Sequence, residues 1–285
     1  FLVSLRSSQQ RGLHWKALSL FDPGRGGGPP TSAITMCSLE KRGRVYVLTL
    51  TGDGEHRLGP ALIDALRSAL ARVRSEASAD PRGASALVTT AEGGRFFSNG
   101  FDLTWADAAG SPAGSRARLE HMVAAFAPAV ADLLSLPVPT VAAVTGHAAA
   151  AGFMLALSHD YMVMRADRGV LYMSELDIGL PFPGYFTALM RAKISDPRTL
   201  RDVALRASKI RGAEAVERGI VDRAQGTAEG TLEAALQLGE ELAGRKWDGN
   251  VYASIRMGAF PELCRAVGLA EEEEEQTRKV FTSKL

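Results

Sequence analysis

Residues 139–160 read PTVAAVTGHAAAAGFMLALSHD, and few folds accommodate such a run. Thr140 to Val144 is a continuous apolar, largely β-branched segment behind a proline, the pattern of a strand buried on both faces of an α/β sheet. Thr145-Gly146-His147 ends the strand. Four alanines and Gly152 follow, then Phe153-Met154-Leu155-Ala156-Leu157, which has helix-forming composition. A strand, a turn of small residues and a helix therefore succeed one another. With no bulky side chain in the turn, a ligand can reach the backbone. The helix behind it presents unpaired N–H groups and a positive dipole end, suited to an anion or oxyanion. A tightly packed strand–helix junction without a ligand would use the same residues.

Composition narrows the field. The chain has 285 residues, 46% hydrophobic and 23% charged, enough for one large domain or two small ones. A net charge of +1 gives no overall basic field for nucleic acid. Cys37 and Cys264 stand too far apart for a metal or redox motif and imply a reducing compartment. No run of strongly apolar residues is long enough to span a membrane, so a soluble protein is expected.

The ends differ from the middle. Residues 1–35 carry Arg6, Arg11, Lys16 and Arg25 against the single acid Asp22, and then pass into PGRGGGPP, which cannot form an element. That is the pattern of an organelle transit peptide. A disordered extension, or a start assigned too far upstream, explains it more simply, since Met36 opens the first residues able to fold. The last residues given, Ser283-Lys284-Leu285, match a receptor-read peroxisomal address.

Between these ends, strands and helices alternate. Strands are expected at 44–50, 84–90, 140–144, 161–164, 170–173 and 220–222, with a short extended piece at 95–97. Helices are expected from Gly59-Pro60 to about Arg74, over 115–136 with a kink at Pro128, from Pro181 onward, twice within 196–218, and through the remainder. Residues 174–179 read as a loop. The acidic run Glu271 to Glu275 reads as a solvated helix face. The alternation predicts an α/β fold around a largely parallel sheet.

A second small-residue turn, Phe97-Ser98-Asn99-Gly100-Phe101-Asp102-Leu103, follows the 95–97 piece. Together with the 139–152 segment, and with Ser174-Glu175 about two dozen residues further on, it resembles the enoyl-CoA hydratase/isomerase (crotonase) superfamily from about Met36 onward. The resemblance implies an α/β, crotonase-like spiral of ββα units with a C-terminal helical region used in assembly, and trimers or pairs of trimers. Residues 36–225 would form the catalytic core and 226–285 the helical region.

Carried across by position, the resemblance places an oxyanion hole at the backbone N–H groups of Asn99 and Ala151. A thioester carbonyl becomes enolate-like when a proton leaves C2, and two fixed donors would stabilise that charge. Glu175 would be the base; read without the resemblance, it could equally be a solvated loop carboxylate or a cap for the helix at Pro181. Substrate would lie along Ser98, Asn99, Gly100, Phe101, Asp102, Leu103, Ala151 and Met154. Hydratases carry a second glutamate where this chain has Met154, and dienoyl-CoA isomerases an aspartate where it has Pro183. A single carboxylate is left, which fits a double-bond isomerase; a hydratase, an acyl-CoA hydrolase or a non-catalytic CoA-binding member is the alternative. Asp102 reads as an organiser of the first turn, and Asp177 has no assigned role. Arg95, Arg278, Lys279 and Lys284 are candidates for the CoA phosphates and adenine. His147 reads as structural or solvent-facing, and His159-Asp160 as a polar cap. No cofactor beyond the substrate's own CoA and no metal is expected. The expected partners are an acyl-CoA thioester and, through Ser283-Lys284-Leu285, a peroxisomal import receptor.

Overall fold

The computed structural model describes residues 36–79, 85–269 and 282. The 1–35 segment, the acidic run, Arg278, Lys279 and the tripeptide 283–285 lie outside the described residues.

Strands enter two sheets in turn. The larger contains β1 (Cys37–Arg42), β2 (Val45–Leu50), β3 (Ala86–Ala91), β5 (Thr140–Val144), β7 (Tyr161–Arg165) and β10 (Arg223–Gln225), in that spatial order. It is parallel except for the β1–β2 hairpin. The smaller contains β4 (Phe96–Ser98), β6 (His147–Ala149), β8 (Val170–Tyr172) and β9 (Ile210–Arg211), with only β9 antiparallel. Consecutive pairs β3/β4, β5/β6 and β7/β8 each place one strand in the large sheet and the next in the small one. The chain therefore winds as a spiral of ββα turns.

Helices fill the spaces. α1 (Pro60–Ala79) buries the stripe Leu62, Ile63, Leu66, Ala69, Leu70 and Val73, which continues past the expected end near Arg74. α2 (Leu103–Asp107) and α3 (Pro112–Leu134) follow β4; Pro128 lies inside α3. α4 (Ala151–Leu157) is buried at every residue, as a helix apolar all round should be. α5 (Glu175–Ile178) is a single turn where a loop was expected. α6 (Gly184–Lys193), α7 (Pro197–Arg206) and α8 (Gly212–Glu217) come next. α9 (Ala228–Ala243) seals the outer face of the large sheet, with Ala235, Leu238 and Leu242 against Val45, Val47, Val88, Val141 and Val163. α10 (Gly249–Ala259) and α11 (Pro261–Ala266) complete the described chain.

Four strand expectations change; β1 and the two-residue β9 are strands not expected at all. Residues 220–222 are a turn whose apolar side chains Ile220 and Val221 are buried, and the strand is the next three residues. β6 was hidden in the expected turn, because a three-residue strand of His and Ala shows no period-2 signal.

His159 and Asp160 do cap, His159 Nδ1 lying 3.0 Å from Leu155 O of α4 and Asp160 accepting the Thr140 N–H at 2.9 Å, but the pair is buried and does more. His159 is buried, its Nε2 2.8 Å from Thr89 Oγ1, and burial lowers its pKa to about 4. Asp160 takes both arms of Arg256 at 2.7 Å. Burial alone would raise the Asp160 pKa, but Arg256 and Lys193 outweigh it and hold the carboxyl below its usual range. Arg256 also donates to the carbonyls of Leu133, Leu134, Leu136 and Val138, at 2.6–3.2 Å. One buried guanidinium thus ties α10 to the end of α3 and the start of β5.

Candidate active site

The two small-residue turns meet where α4 packs on β4. Gly152 permits it: a Cβ there would lie 2.3 Å from the Ser98 carbonyl oxygen and 2.7 Å from Ser98 Cβ. Gly146 does the same one step earlier, where a Cβ would lie 2.6 Å from Arg95 O. Glycine is needed at both positions for close approach of backbone to backbone.

The first turn is splinted by residues 53–58. The Asp53 carboxylate accepts the N–H groups of Glu55 and His56 at 2.9 and 3.1 Å. Glu55 O accepts the Asn99 N–H at 2.8 Å, and the Glu55 side chain accepts Asn99 Nδ2 at 3.1 Å. His56 O accepts the Ser98 hydroxyl at 2.7 Å, and His56 Nδ1 lies 3.0 Å from Phe96 O. Leu58 bridges Phe101: its N–H donates to Gly100 O at 2.8 Å.

These bonds correct the expected first donor. The Asn99 N–H is committed to Glu55 O. In the next peptide but one, the Gly100 carbonyl turns toward Leu58, so the trans N–H of Phe101 points the opposite way. Gly100 makes the rotation with φ +78°, and its own face lies on the second turn, where a Cβ would sit 3.1 Å from Ala149 O and 3.5 Å from Ala151 N. Ala151 follows the same logic. The Ala150 carbonyl accepts Phe153 and Met154 N–H at 2.9 and 3.1 Å, so the Ala151 N–H faces out of the helix. Phe101 and Ala151 N–H groups donate to no partner among the described residues. The turn motif alone did not show that a positive-φ glycine shifts the free donor two residues along.

The other expected residues divide by role. Ser98 is fully buried with its hydroxyl donated, so its side chain faces the splint instead of a ligand. Asp102 caps α2, accepting the Trp105 N–H at 3.0 Å, which is the organising role expected of it. The Phe101 ring stacks on Phe186 at 6.1 Å and meets Phe126 edge-on at 5.9 Å. Leu103 is exposed, and Met154 is fully buried one turn from Ala151. Arg95 is exposed over the Phe96 ring. His147 lies edge-on to Phe96 at 5.3 Å; its pKa is lowered by burial first and then by Arg95, Arg211 and Arg165.

Glu175 opens α5 behind Ser174 and is 7% exposed. Its Oε2 is buried without a hydrogen-bond partner. Burial raises its pKa, and the backbone N–H groups of Glu175 and Ser174 pull it part of the way back. A buried carboxylate with one free oxygen and elevated basicity is suited to taking and returning a proton. Among the described residues, no cluster of His, Cys, Asp and Glu could hold a metal, and no helix is long and apolar enough to cross a membrane.

Residues 42–255 match the enoyl-CoA hydratase/isomerase family. The chain belongs to that family. It is 56% identical over 251 residues to the peroxisomal enoyl-CoA delta isomerase 2 of Arabidopsis thaliana, covering 88% of this chain and all of that one. It is 53% identical to enoyl-CoA delta isomerase 3 of the same plant, covering 82% and 96% of the two chains. An enoyl-CoA isomerase structure from Mycobacterium tuberculosis superposes with a TM-score of 0.70 at 24% identity, covering 86% of this chain and 98% of that one, which shows the shared crotonase-like fold.

Proposed function

We infer that this chain is an enoyl-CoA delta isomerase, moving the double bond of a 3-enoyl-CoA to the 2,3 position. The observation that carries the reading is a buried Glu175 without a carboxylate at the position of the hydratases' second glutamate. Glu175 is buried with a free oxygen, and the position where hydratases hold their second glutamate is the fully buried Met154. Adding water across a double bond requires a water held between two carboxylates; a proton shuttle on one face requires one.

In the proposed reaction the thioester oxygen accepts from the Phe101 and Ala151 N–H groups. Glu175 removes a proton from C2, and the electron pair of that C–H bond delocalises into the thioester as an enolate. The pair then forms C2=C3 as the C3=C4 electrons take the proton back from Glu175 at C4. No atom is gained or lost. Loss of one oxyanion donor typically costs about 2.7–4 kcal/mol of barrier. The raised Glu175 pKa makes its carboxylate a stronger base toward the weakly acidic C2 proton.

Peroxisomal residence, an import receptor as partner, a role in β-oxidation of unsaturated fatty acids and assembly as a trimer or hexamer belong to the same proposal. The name of the Arabidopsis relative and the match of Ser283-Lys284-Leu285 to a peroxisomal address support the location. Arg95 remains the candidate for the CoA phosphates within the described residues. The test is to give purified protein 3-enoyl-CoA and, separately, 2-enoyl-CoA. Formation of 2-enoyl-CoA from the first, with little 3-hydroxyacyl-CoA from the second, is expected. Dominant hydration would favour the hydratase reading.

A further inference from the structure

We propose that Ala150 is a positioning residue of the oxyanion site: its methyl, set against Gly100, fixes the spacing of the Phe101 and Ala151 donors. Ala150 holds φ +49° and ψ −124°, a region that side chains of L-residues rarely adopt and that glycine enters freely. Three contacts hold it there. Its N–H donates to Tyr172 O at 2.9 Å, tying it to β8. Its carbonyl accepts the first two inward N–H groups of α4. Its Cβ lies 3.1 Å from where a Gly100 Cβ would stand, so the methyl faces the open side of the glycine that turns the Phe101 N–H.

A strained conformation persists only where its surroundings over-determine it, and such residues cluster at functional sites. Here ψ of Ala150 sets the plane of the 150–151 peptide, and that plane aims the Ala151 N–H. Glycine at 150 would fit the turn without strain, yet it would remove the contact that keeps the two turns in register and would let the peptide rock. The alanine thus exchanges backbone comfort for a fixed gap between donors, a stability-for-activity exchange of a known kind.

The inference rests on the isomerase reading, and one experiment separates the two. Ala150→Gly and Ala150→Ser are compared with the parent for kcat, KM and Tm on 3-enoyl-CoA. Ala150→Gly should lower kcat at least fivefold with KM within twofold, while Tm stays level or rises by roughly 2–4 °C as strain is relieved. Ala150→Ser keeps the Cβ and should hold kcat within twofold of the parent. A glycine variant with parental kcat overturns the proposal. So does one in which Tm falls along with kcat, because a packing role alone would then suffice. A serine variant as slow as the glycine one also overturns it. A parent that turns over no 3-enoyl-CoA would instead overturn the isomerase reading.

Discussion

Gly152→Ala is the sharpest perturbation of the junction between the two turns. The added Cβ would meet the Ser98 carbonyl oxygen at 2.3 Å and the Ser98 carbonyl carbon at 2.8 Å. Both are backbone atoms, so no side chain can swing aside. Restoring ordinary contact at 3.4 Å or more requires α4 and β4 to separate by about 1 Å. An oxyanion donor works at roughly 2.7–3.1 Å, so a shift of that size on the Ala151 side effectively removes one donor. The expected loss is about 10²–10³ in kcat, with about 1–3 kcal/mol of stability lost to overpacking. Gly239→Ala is the control. The nearest atoms to a Cβ there would be Val45 and Val88 methyls, at 3.2 Å, on the far face of the large sheet. It should cost some stability and leave kcat unchanged. The assay is conversion of 3-enoyl-CoA alongside thermal melting. A Gly152→Ala enzyme that stays folded with kcat within threefold of the parent would refute the placement of the donors.

Four further outcomes are expected. Activity should rise with pH through the elevated pKa of Glu175, because only the ionised carboxylate accepts the C2 proton; kcat/KM that is flat down to the usual carboxylate range would contradict this. The same elevation means that the folded state binds its proton more tightly, so Glu175 costs stability as pH rises past its unfolded pKa; Glu175→Gln should melt no lower than the parent at pH 7. Met154→Glu should gain slow hydratase activity, read as 3-hydroxyacyl-CoA from 2-enoyl-CoA, at a cost in Tm from burying a second carboxyl; a folded, acyl-CoA-binding variant that hydrates no faster than the parent would show that Met154 does not face Glu175. Arg256→Ala should destabilise by about 3–5 kcal/mol in denaturant titration, since it leaves Asp160 buried without its partner, and a loss under about 1 kcal/mol would refute the role given to that hub.

Patterns with a strong period were legible in the sequence. The 140–144 strand, the α1 stripe and the alternation of strands with helices all stand in the structure, because burial on one or both faces leaves a mark on residue order. The two small-residue turns were visible because close backbone approach restricts residue type, whereas Glu175 was picked out only by the family resemblance, since by itself it reads as readily as a loop carboxylate or a cap. What escaped depends on partners distant in sequence. The Asn99 N–H is taken by Glu55, 44 residues earlier, and nothing near Asn99 records it. Nothing in the order of residues 53–58 marks the splint, since its value lies in the strand that it braces. His159-Asp160 read only as a cap because the further partner of Asp160, Arg256, is 96 residues away. The strain at Ala150 left no mark in residue order; its φ of +49° needed coordinates.

The single-carboxylate mechanism is tested most directly by Glu175→Gln, assayed for conversion of 3-enoyl-CoA to 2-enoyl-CoA alongside acyl-CoA binding. The variant should bind acyl-CoA as the parent does and lose nearly all turnover, because only the proton acceptor is gone. Retention of more than about a tenth of parental turnover, a barrier change under roughly 1.4 kcal/mol, would show that another group takes the proton.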